Sequence, residues 1–194
     1  MGRAIRFFEV SSSVDACQYF LFDDPEKALE YDLDGRFLTD TWIAPTMFSF
    51  QPKLPACDFW GFGQLAAFAT SQTLLDGRSE IREVLLSCGE LLPFKHNGEA
   101  FYVFNITACY DSLDKDATVW DTFPKWADPV VKEPHFDTQR LGGELFKIPE
   151  TSLSAIYYWE REGFEDQQFR RMCQEAGLTG LTFKLLYTDH HLAQ

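Results

Sequence analysis

The chain has 194 residues, enough for one sizeable hydrophobic core. Hydrophobic residues make up 45% of it and aromatic residues 16%, which excludes an intrinsically disordered protein. Its 17 Lys and Arg against 30 Asp and Glu give a formal net charge of -13, which argues against a nucleic-acid partner, since that binding depends on Lys and Arg clusters. A basic protein partner fits this charge, and so does an acidic surface with no role beyond solubility.

The N-terminal part of the chain predicts short strands and a helical turn. Residues 4–10 and 16–22 have the composition of strands, and Pro25 suits the first position of a helical turn. The sequence Glu30-x-Asp32-x-Asp34-Gly35 is similar to the start of a calcium loop. Thr41 occupies the position where such a loop needs a bidentate Glu, so we interpret this stretch as a solvated turn.

Residues 41–62 combine three prolines with many aromatic side chains. The prolines prevent a regular helix, so we predict an extended, irregular segment. We expect its aromatic residues to pack on the core, and the alternative is an exposed hydrophobic patch. These residues are Trp42, Phe48, Phe50, Phe59 and Trp60.

A helix followed by a hairpin is the clearest local pattern. Apolar residues at 81, 84, 85 and 88 predict one buried helix face, with Asp76 as its N-terminal cap and Gly89 at its end. Asn97-Gly98 lies between two apolar runs and predicts a tight hairpin turn. The second strand of this hairpin is apolar on both faces and should be central, whereas Pro93 either places the first strand at an edge or marks its beginning.

Residues 110–144 show no sustained period and contain carboxylates interleaved with large aromatic side chains. Long irregular stretches in compact domains are often functional, so we predict a partner-binding surface here. Aromatic residues ringed by carboxylates suit a basic protein partner, and the alternative is that the aromatic residues only pin the loop to the domain. The predicted contact residues are Asp111, Asp114, Asp116, Trp120, Asp121, Trp126, Asp128 and Phe136.

The C-terminal part predicts two strands, a helix and a final strand. Residues 145–148 and 155–159 have strand composition. Asp166 is the expected cap of a helix with Phe169 and Cys173 on its apolar face, ended by Gly177 in the left-handed conformation. Alternating apolar residues over 181–187 then predict a half-buried strand.

Several of these segments resemble the immunity proteins of bacterial polymorphic toxin systems. The segments are Ser71-x-x-Leu74, Glu90-Leu91-Leu92-Pro93, Tyr102 to Thr107, Leu145 to Pro149, and Phe169 through Phe183. They are similar to the branch named for a myxobacterial member and first catalogued as a domain of unknown function. The resemblance covers residues 66–187 and consists of packing and turn residues, so it carries over no contact residue. It implies a protein that binds and neutralises a cognate toxin made by the same bacterium.

The sequence contains no motif that demands catalysis, a cofactor or a metal. The five cysteines are an odd number without a Cys-x-x-Cys pair, which predicts reduced, mostly buried thiols. The N-terminus has no apolar run of signal-peptide length, and no later run is long enough to span a membrane. We therefore expect a cytoplasmic protein with no membrane partner.

Together these patterns predict one α+β domain over residues 1–194. We expect a mostly antiparallel sheet with two or more packed helices and a long acidic loop, divided into a strand-rich segment (1–65) and the core that resembles the immunity family (66–187). The predicted function is stoichiometric occlusion of a basic toxin, without enzymatic activity. Two alternatives are a small enzyme or ligand-binding domain with an aromatic and carboxylate pocket for a cationic molecule, and an adaptor of a secretion apparatus.

Overall fold

A computed structural model describes residues 4–63, 65–122, 129–164 and 168–190. Within them the chain forms twelve strands and three α-helices. The strands are β1 (Ile5–Ser12), β2 (Tyr19–Phe22), β3 (Met47–Phe50), β4 (Phe59–Gly61), β5 (Phe68–Ser71), β6 (Gly89–His96), β7 (Glu99–Ile106), β8 (Val119–Asp121), β9 (Val130–Glu133), β10 (Leu145–Phe146), β11 (Ile156–Arg161) and β12 (Leu181–Asp189). The helices are α1 (Gln72–Gly77), α2 (Ser79–Cys88) and α3 (Phe169–Glu175), and short 3-10 helices span Pro25–Glu30, Thr138–Arg140 and Pro149–Thr151.

The strands form two four-stranded sheets and two two-stranded ribbons. The first sheet has the order β10-β11-β1-β12 and the second has the order β4-β5-β7-β6, and both are antiparallel. Strands β2 and β3 form one ribbon, and β8 and β9 form the other. The α+β class with mostly antiparallel sheets is thus confirmed.

The two four-stranded sheets and the helices share one hydrophobic cluster. Phe8 and Tyr158 come from the first sheet, Phe104 comes from the second, and Leu85 and Phe169 come from helices. All five side chains are at most 5% exposed. Burial of this apolar surface holds the sheets and helices together.

The hairpin of β6 and β7 agrees with the sequence prediction. Asn97 and Gly98 form its two-residue turn with φ values of 51° and 84°, which is the left-handed backbone that a tight hairpin needs. Strand β7 lies between β5 and β6, so it is central. Strand β6 is an edge strand, and Pro93 on it is exposed.

The predicted cap of α2 is wrong. Asp76 lies within the preceding helix α1, whose N-terminal cap is Ser71, and the hydroxyl of Ser71 accepts a hydrogen bond from the amide of Leu74 at 3.2 Å. Arg78 occupies the cap position of α2 without a side-chain cap bond. Gly89 ends α2 as expected, in an extended conformation that starts β6 directly.

The C-terminal cap of α3 agrees with the prediction, whereas its N-terminal cap is untested. Gly177 has a φ of 66°, and the amide of Leu178 reaches back to the carbonyl of Cys173 at 2.8 Å. This contact is the 6→1 bond of a left-handed helix end. The expected cap residue, Asp166, lies outside the described residues.

Two segments that we expected to be irregular contain strands. Residues 41–62 include β3 and β4, and residues 110–144 include β8 and β9, so the long acidic loop is interrupted by a ribbon. Of the aromatic residues in the first segment, Phe59 and Trp60 are buried as expected. Phe48 and Phe50 are 40% and 38% exposed, so the prediction that they pack in the core is wrong.

Candidate partner-binding surface

The carboxylates predicted as contact residues lie on the surface wherever the structure describes them. Asp111, Asp114, Asp116 and Asp121 are exposed, and Trp120 is half-buried. Trp126 and Asp128 lie outside the described residues. Five of the eight predicted positions are therefore at least partly accessible to a partner.

Phe136 must be removed from this set because its side chain is buried. It is 6% exposed, and its ring centroid lies 5.2 Å from that of Phe7, 5.1 Å from Phe146 and 5.0 Å from Tyr157. Its amide donates a hydrogen bond to the hydroxyl of Tyr187 at 2.7 Å. Phe136 pins the loop to the core, which is the alternative that the sequence left open.

Backbone hydrogen bonds join the two segments that flank the ribbon of β8 and β9. Leu113 and Phe136 form an isolated antiparallel bridge. The amide of Asp114 donates to the carbonyl of His135 at 2.8 Å, and the amide of Asp137 donates to the carbonyl of Ser112 at 2.7 Å. These bonds fix the backbone that carries the surface carboxylates.

Asp114 also shapes the turn that follows it. Its Oδ1 accepts hydrogen bonds from the amides of Asp116 and Ala117, both at 3.1 Å. Such side-chain to backbone bonds are typical of Asp in turns. The backbone of Asp116 is thereby held beside the carboxylate of Asp114.

Trp120 joins this turn to the ribbon of β8 and β9. Its indole Nε1 donates to the carbonyl of Lys115 at 3.3 Å, and its ring packs against the cluster around Phe7 and Phe136. Next to it, Val119 is 41% exposed and Val130 is 65% exposed. The ribbon therefore adds apolar area to an otherwise acidic region.

A cavity of about 520 Å³ is lined in part by residues that the sequence did not predict as contact residues. Asp114 and Asp116 line it together with Asp137, Arg140 and Asp189. We call the region formed by Asp111, Asp114, Asp116, Asp137, Asp189 and Trp120 the loop surface. Asp137 and Arg140 lie within the irregular stretch of residues 110–144. Asp189 lies outside this stretch, and its position depends on the pairing of β12 with β1.

Arg140 is a cation that lies next to the residues of the loop surface. Its Nε lies 3.1 Å from a carboxylate oxygen of Asp137, and its Nη1 donates to the carbonyl of Asp111 at 3.2 Å. It neutralises part of the local charge and fixes the backbone of Asp111. Lys115 is a second cation in the lining of the cavity. The five carboxylates of the loop surface still outnumber these two cations, so the region attracts cationic groups.

The thiols of Cys109 and Cys173 are unsuited to nucleophilic chemistry. All five cysteines are free. Burial raises the pKa of the Cys109 thiol, against the nearby charge of Lys147, and burial raises the pKa of Cys173 to about 12. A thiol with a raised pKa supplies little thiolate near neutral pH, and the thiolate is the reactive form.

Within the described part of the chain, no group of three or more His, Cys, Asp and Glu side chains is arranged to hold a metal ion. Among the same residues, no helix is long and apolar enough to cross a membrane. Comparisons of the chain with protein-family models, with curated proteins and with solved structures give no match.

Proposed function

We propose that this chain is an immunity protein that binds a cognate bacterial toxin in the cytoplasm and neutralises it by stoichiometric occlusion. The observation that carries the proposal is the loop surface, where carboxylates line a cavity and the half-buried Trp120 follows them in strand β8. The resemblance of residues 66–187 to immunity proteins supports the same function.

The construction of the loop surface suits a basic protein partner. Its carboxylates accelerate the encounter with a cationic surface and fix the orientation of the complex. The ring of Trp120 and the exposed side chains of Val119 and Val130 supply apolar area that a partner can bury. Because hydrogen bonds already hold residues 112–118 and 135–137, binding orders little additional backbone in these two segments.

The first experiment identifies the partner. The tagged chain is used to capture proteins from its source bacterium at low and at moderate salt, and the captured proteins are identified by mass spectrometry. We expect one basic protein that is lethal when expressed alone and harmless when co-expressed with this chain. Capture of no such protein at either salt concentration would contradict occlusion.

The second experiment assigns the surface. The triple variant Asp111→Asn, Asp114→Asn and Asp116→Asn removes three charges but keeps the side-chain oxygen that Asp114 uses in its turn. We expect slower association with the toxin and weaker protection, since surface charges act mainly on the association rate. The matched control is Asp15→Asn, Glu83→Gln and Glu99→Gln, which removes three exposed carboxylates elsewhere. Equal effects of the two variants would show that net charge alone acts and would contradict a role of the loop surface.

A further inference from the structure

A second cleft lies in the N-terminal segment, outside the part of the chain that resembles immunity proteins. It has a volume of about 490 Å³, and its walls include Tyr31, Trp42 and Ile43. Ile43 is 77% exposed, and nearby Phe37 is 75% exposed. Large apolar side chains this exposed, next to a cleft, are typical of binding sites.

The aromatic rings of the cleft are fixed in place. The rings of Tyr31 and Trp42 meet edge to face with centroids 5.4 Å apart, and Phe22 stacks on Tyr31 at 5.1 Å. The hydroxyl of Tyr31 donates to the carbonyl of Ile43 at 3.1 Å, and the indole of Trp42 donates to the carbonyl of Pro93 at 2.8 Å. The polar atoms of both rings are thus bonded to the backbone, so the two rings offer apolar surface to the cleft, apart from the face of Tyr31 that Phe22 covers.

Carboxylates accompany these rings. Asp23, Asp24, Glu30 and Asp32 all belong to the lining. Burial raises the pKa of the Tyr31 hydroxyl, and the charge of Glu30 raises it further.

One guanidinium balances part of that charge. Among the described residues that line the cleft, Arg36 is the only cation. Its Nε lies 2.7 Å from Asp34, and its Nη2 lies 3.4 Å from Asp32. Four lining carboxylates against this one cation leave the cleft negative.

Two buried charges hold the segment that forms this cleft. Glu90 is 6% exposed and accepts hydrogen bonds from the amides of Leu38 and Thr39. Lys147 is 1% exposed, and its Nζ donates to the carbonyl of Leu33 at 2.9 Å. Both charges come from the core and bind backbone on either side of Arg36, so the cleft has a defined shape before any ligand arrives.

We propose that this cleft binds an organic cation, an ammonium or guanidinium group that packs on the rings of Tyr31 and Trp42 and pairs with the carboxylates around them. Aromatic rings attract such cations through their negative faces, and nearby carboxylates supply the counter-charge. The group can belong to a free small molecule or to a Lys or Arg side chain of a protein. The proposal is independent of toxin binding, because it concerns a different surface and requires no toxin.

The test follows the indole resonance of Trp42 in nitrogen-proton correlation spectra of the full chain, with Trp42→Phe used to assign it. The probes are choline, N-acetylargininamide, and a capped Gly-Arg-Gly-Arg-Gly peptide, with Gly-Gln-Gly-Gln-Gly as the uncharged control. A saturable shift with choline or N-acetylargininamide supports the proposal with a free small molecule as the ligand. A saturable shift with the arginine peptide alone supports it with a protein side chain as the ligand. No saturable shift with any cationic probe at millimolar concentrations, or the same shift with the glutamine peptide, would overturn it.

Charge variants of the cleft should change the affinity for the cation in opposite directions. Asp23→Asn with Glu30→Gln should weaken the binding of whichever probe binds by at least about threefold, and Arg36→Gln should strengthen it by a similar factor. Asp15→Asn with Glu83→Gln removes two exposed carboxylates that do not line the cleft and should leave this binding unchanged. Equal affinities in all variants would overturn the assignment of the cleft and would leave the proposed toxin surface untouched.

Discussion

The carboxylate of Glu90 accepts a hydrogen bond from the amide of Thr39, 51 positions earlier in the chain, at 3.1 Å. Its other oxygen accepts from the amide of Leu38 at 2.6 Å and from the side-chain amide of Asn105 at 2.8 Å. Glu90 belongs to strand β6 of the hairpin, and Thr39 belongs to the N-terminal segment of residues 1–65. This contact therefore ties the two parts together and fixes Leu38, which lines the acidic cleft of the N-terminal segment.

We expect Glu90→Gln to destabilise the fold by about 2 kcal/mol near neutral pH, since an amide cannot accept all of these bonds. Burial opposes the charged form, but hydrogen bonds from Thr39, Leu38 and Asn105 outweigh it and lower the pKa of Glu90. A lowered pKa in the folded state stabilises the fold above the ordinary carboxyl pKa, and this contribution is lost as the pH falls.

Urea unfolding at several pH values measures this contribution. The difference in unfolding free energy between the wild type and the Glu90→Gln variant should shrink as the pH falls from neutral towards the acid range. Glu99→Gln, at an exposed position of the same hairpin, should change stability by no more than about 0.5 kcal/mol. A difference for Glu90→Gln that is independent of pH would contradict this role of the carboxylate.

Arg170→Ala should cost about 2 to 4 kcal/mol of stability. Arg170 binds the fully buried carboxylate of Glu160 through its Nε at 2.9 Å and its Nη2 at 2.7 Å, while Arg6 lies 2.7 Å from the same carboxylate. Removing one partner leaves a buried charge undercompensated.

Arg171→Ala is the control in the same turn of α3. Arg171 forms an exposed pair with Glu175 at 2.8 Å, which contributes about 0.3 to 0.5 kcal/mol. Denaturant midpoints of the two variants provide the comparison. Similar losses in both would show that the buried cluster around Glu160 contributes no more than a surface pair.

Lys147→Met should abolish a pH-dependent contribution to the free energy of unfolding. Burial lowers the pKa of Lys147 from its ordinary value of 10.5, against the opposing effects of Cys109, Asp34 and Asp32. Between the lowered value and 10.5 the unfolded chain binds more protons than the folded chain, so the stability of the wild type rises with pH there.

Relative to Lys147→Met, the wild type should therefore gain stability in urea unfolding as the pH rises towards the ordinary lysine pKa of 10.5. Lys184→Met is the matched control, since that side chain is 71% exposed. A wild type that gains nothing over Lys147→Met, or that loses stability relative to it, would show that Lys147 is not buried as a charged group.

Gly180→Ala should destabilise the fold far more than Gly98→Ala. Both glycines have a positive φ, 101° at Gly180 and 84° at Gly98, so an alanine is strained at each by about 1 kcal/mol. A Cβ atom at Gly180 would also lie 1.9 Å from the carbonyl oxygen of Phe59, whereas nothing lies within 4 Å of one at Gly98.

Thermal unfolding of the two variants separates backbone strain from steric overlap. We expect a modest fall in midpoint for Gly98→Ala and a much larger one, or failure to fold, for Gly180→Ala. Equal midpoints would contradict the close approach of Gly180 to Phe59.

The parts of the fold that the sequence predicted depend on neighbouring residues. The turn at Asn97 and Gly98 and the C-terminal cap at Gly177 follow from backbone conformations that few residue types adopt. The apolar spacing over residues 81–88 likewise determines which face of α2 is buried. Such signals need no knowledge of distant contacts.

The parts that the sequence missed depend on contacts between distant residues. Strand β3 is four residues long and exists through its pairing with β2, so its local pattern is weak. Glu90 and Lys147 belong to residue types that are usually exposed, and nothing near them in sequence indicates that they are buried against residues 33–39. The acidic cleft of the N-terminal segment could therefore not be predicted, although its acidic and aromatic residues are evident in the sequence.

The sequence predicted only part of the candidate partner surface, because the rest depends on contacts between distant residues. The exposed carboxylates from Asp111 to Asp121 could be selected by composition, because charged residues in loops lie at the surface. The burial of Phe136 could not, because it depends on the packing of the loop against Phe7 and Tyr157. Asp189 joins the region from a strand more than fifty positions further along the chain.

The most direct test of the proposed function is a titration of the purified toxin, once captured, with this purified chain. We predict that toxin activity falls linearly and reaches zero at one equivalent of the chain. Sedimentation should then show a one-to-one complex. Full loss of activity at a small fraction of one equivalent would indicate an enzyme that inactivates the toxin. Activity that persists in a large excess of the chain would contradict neutralisation altogether.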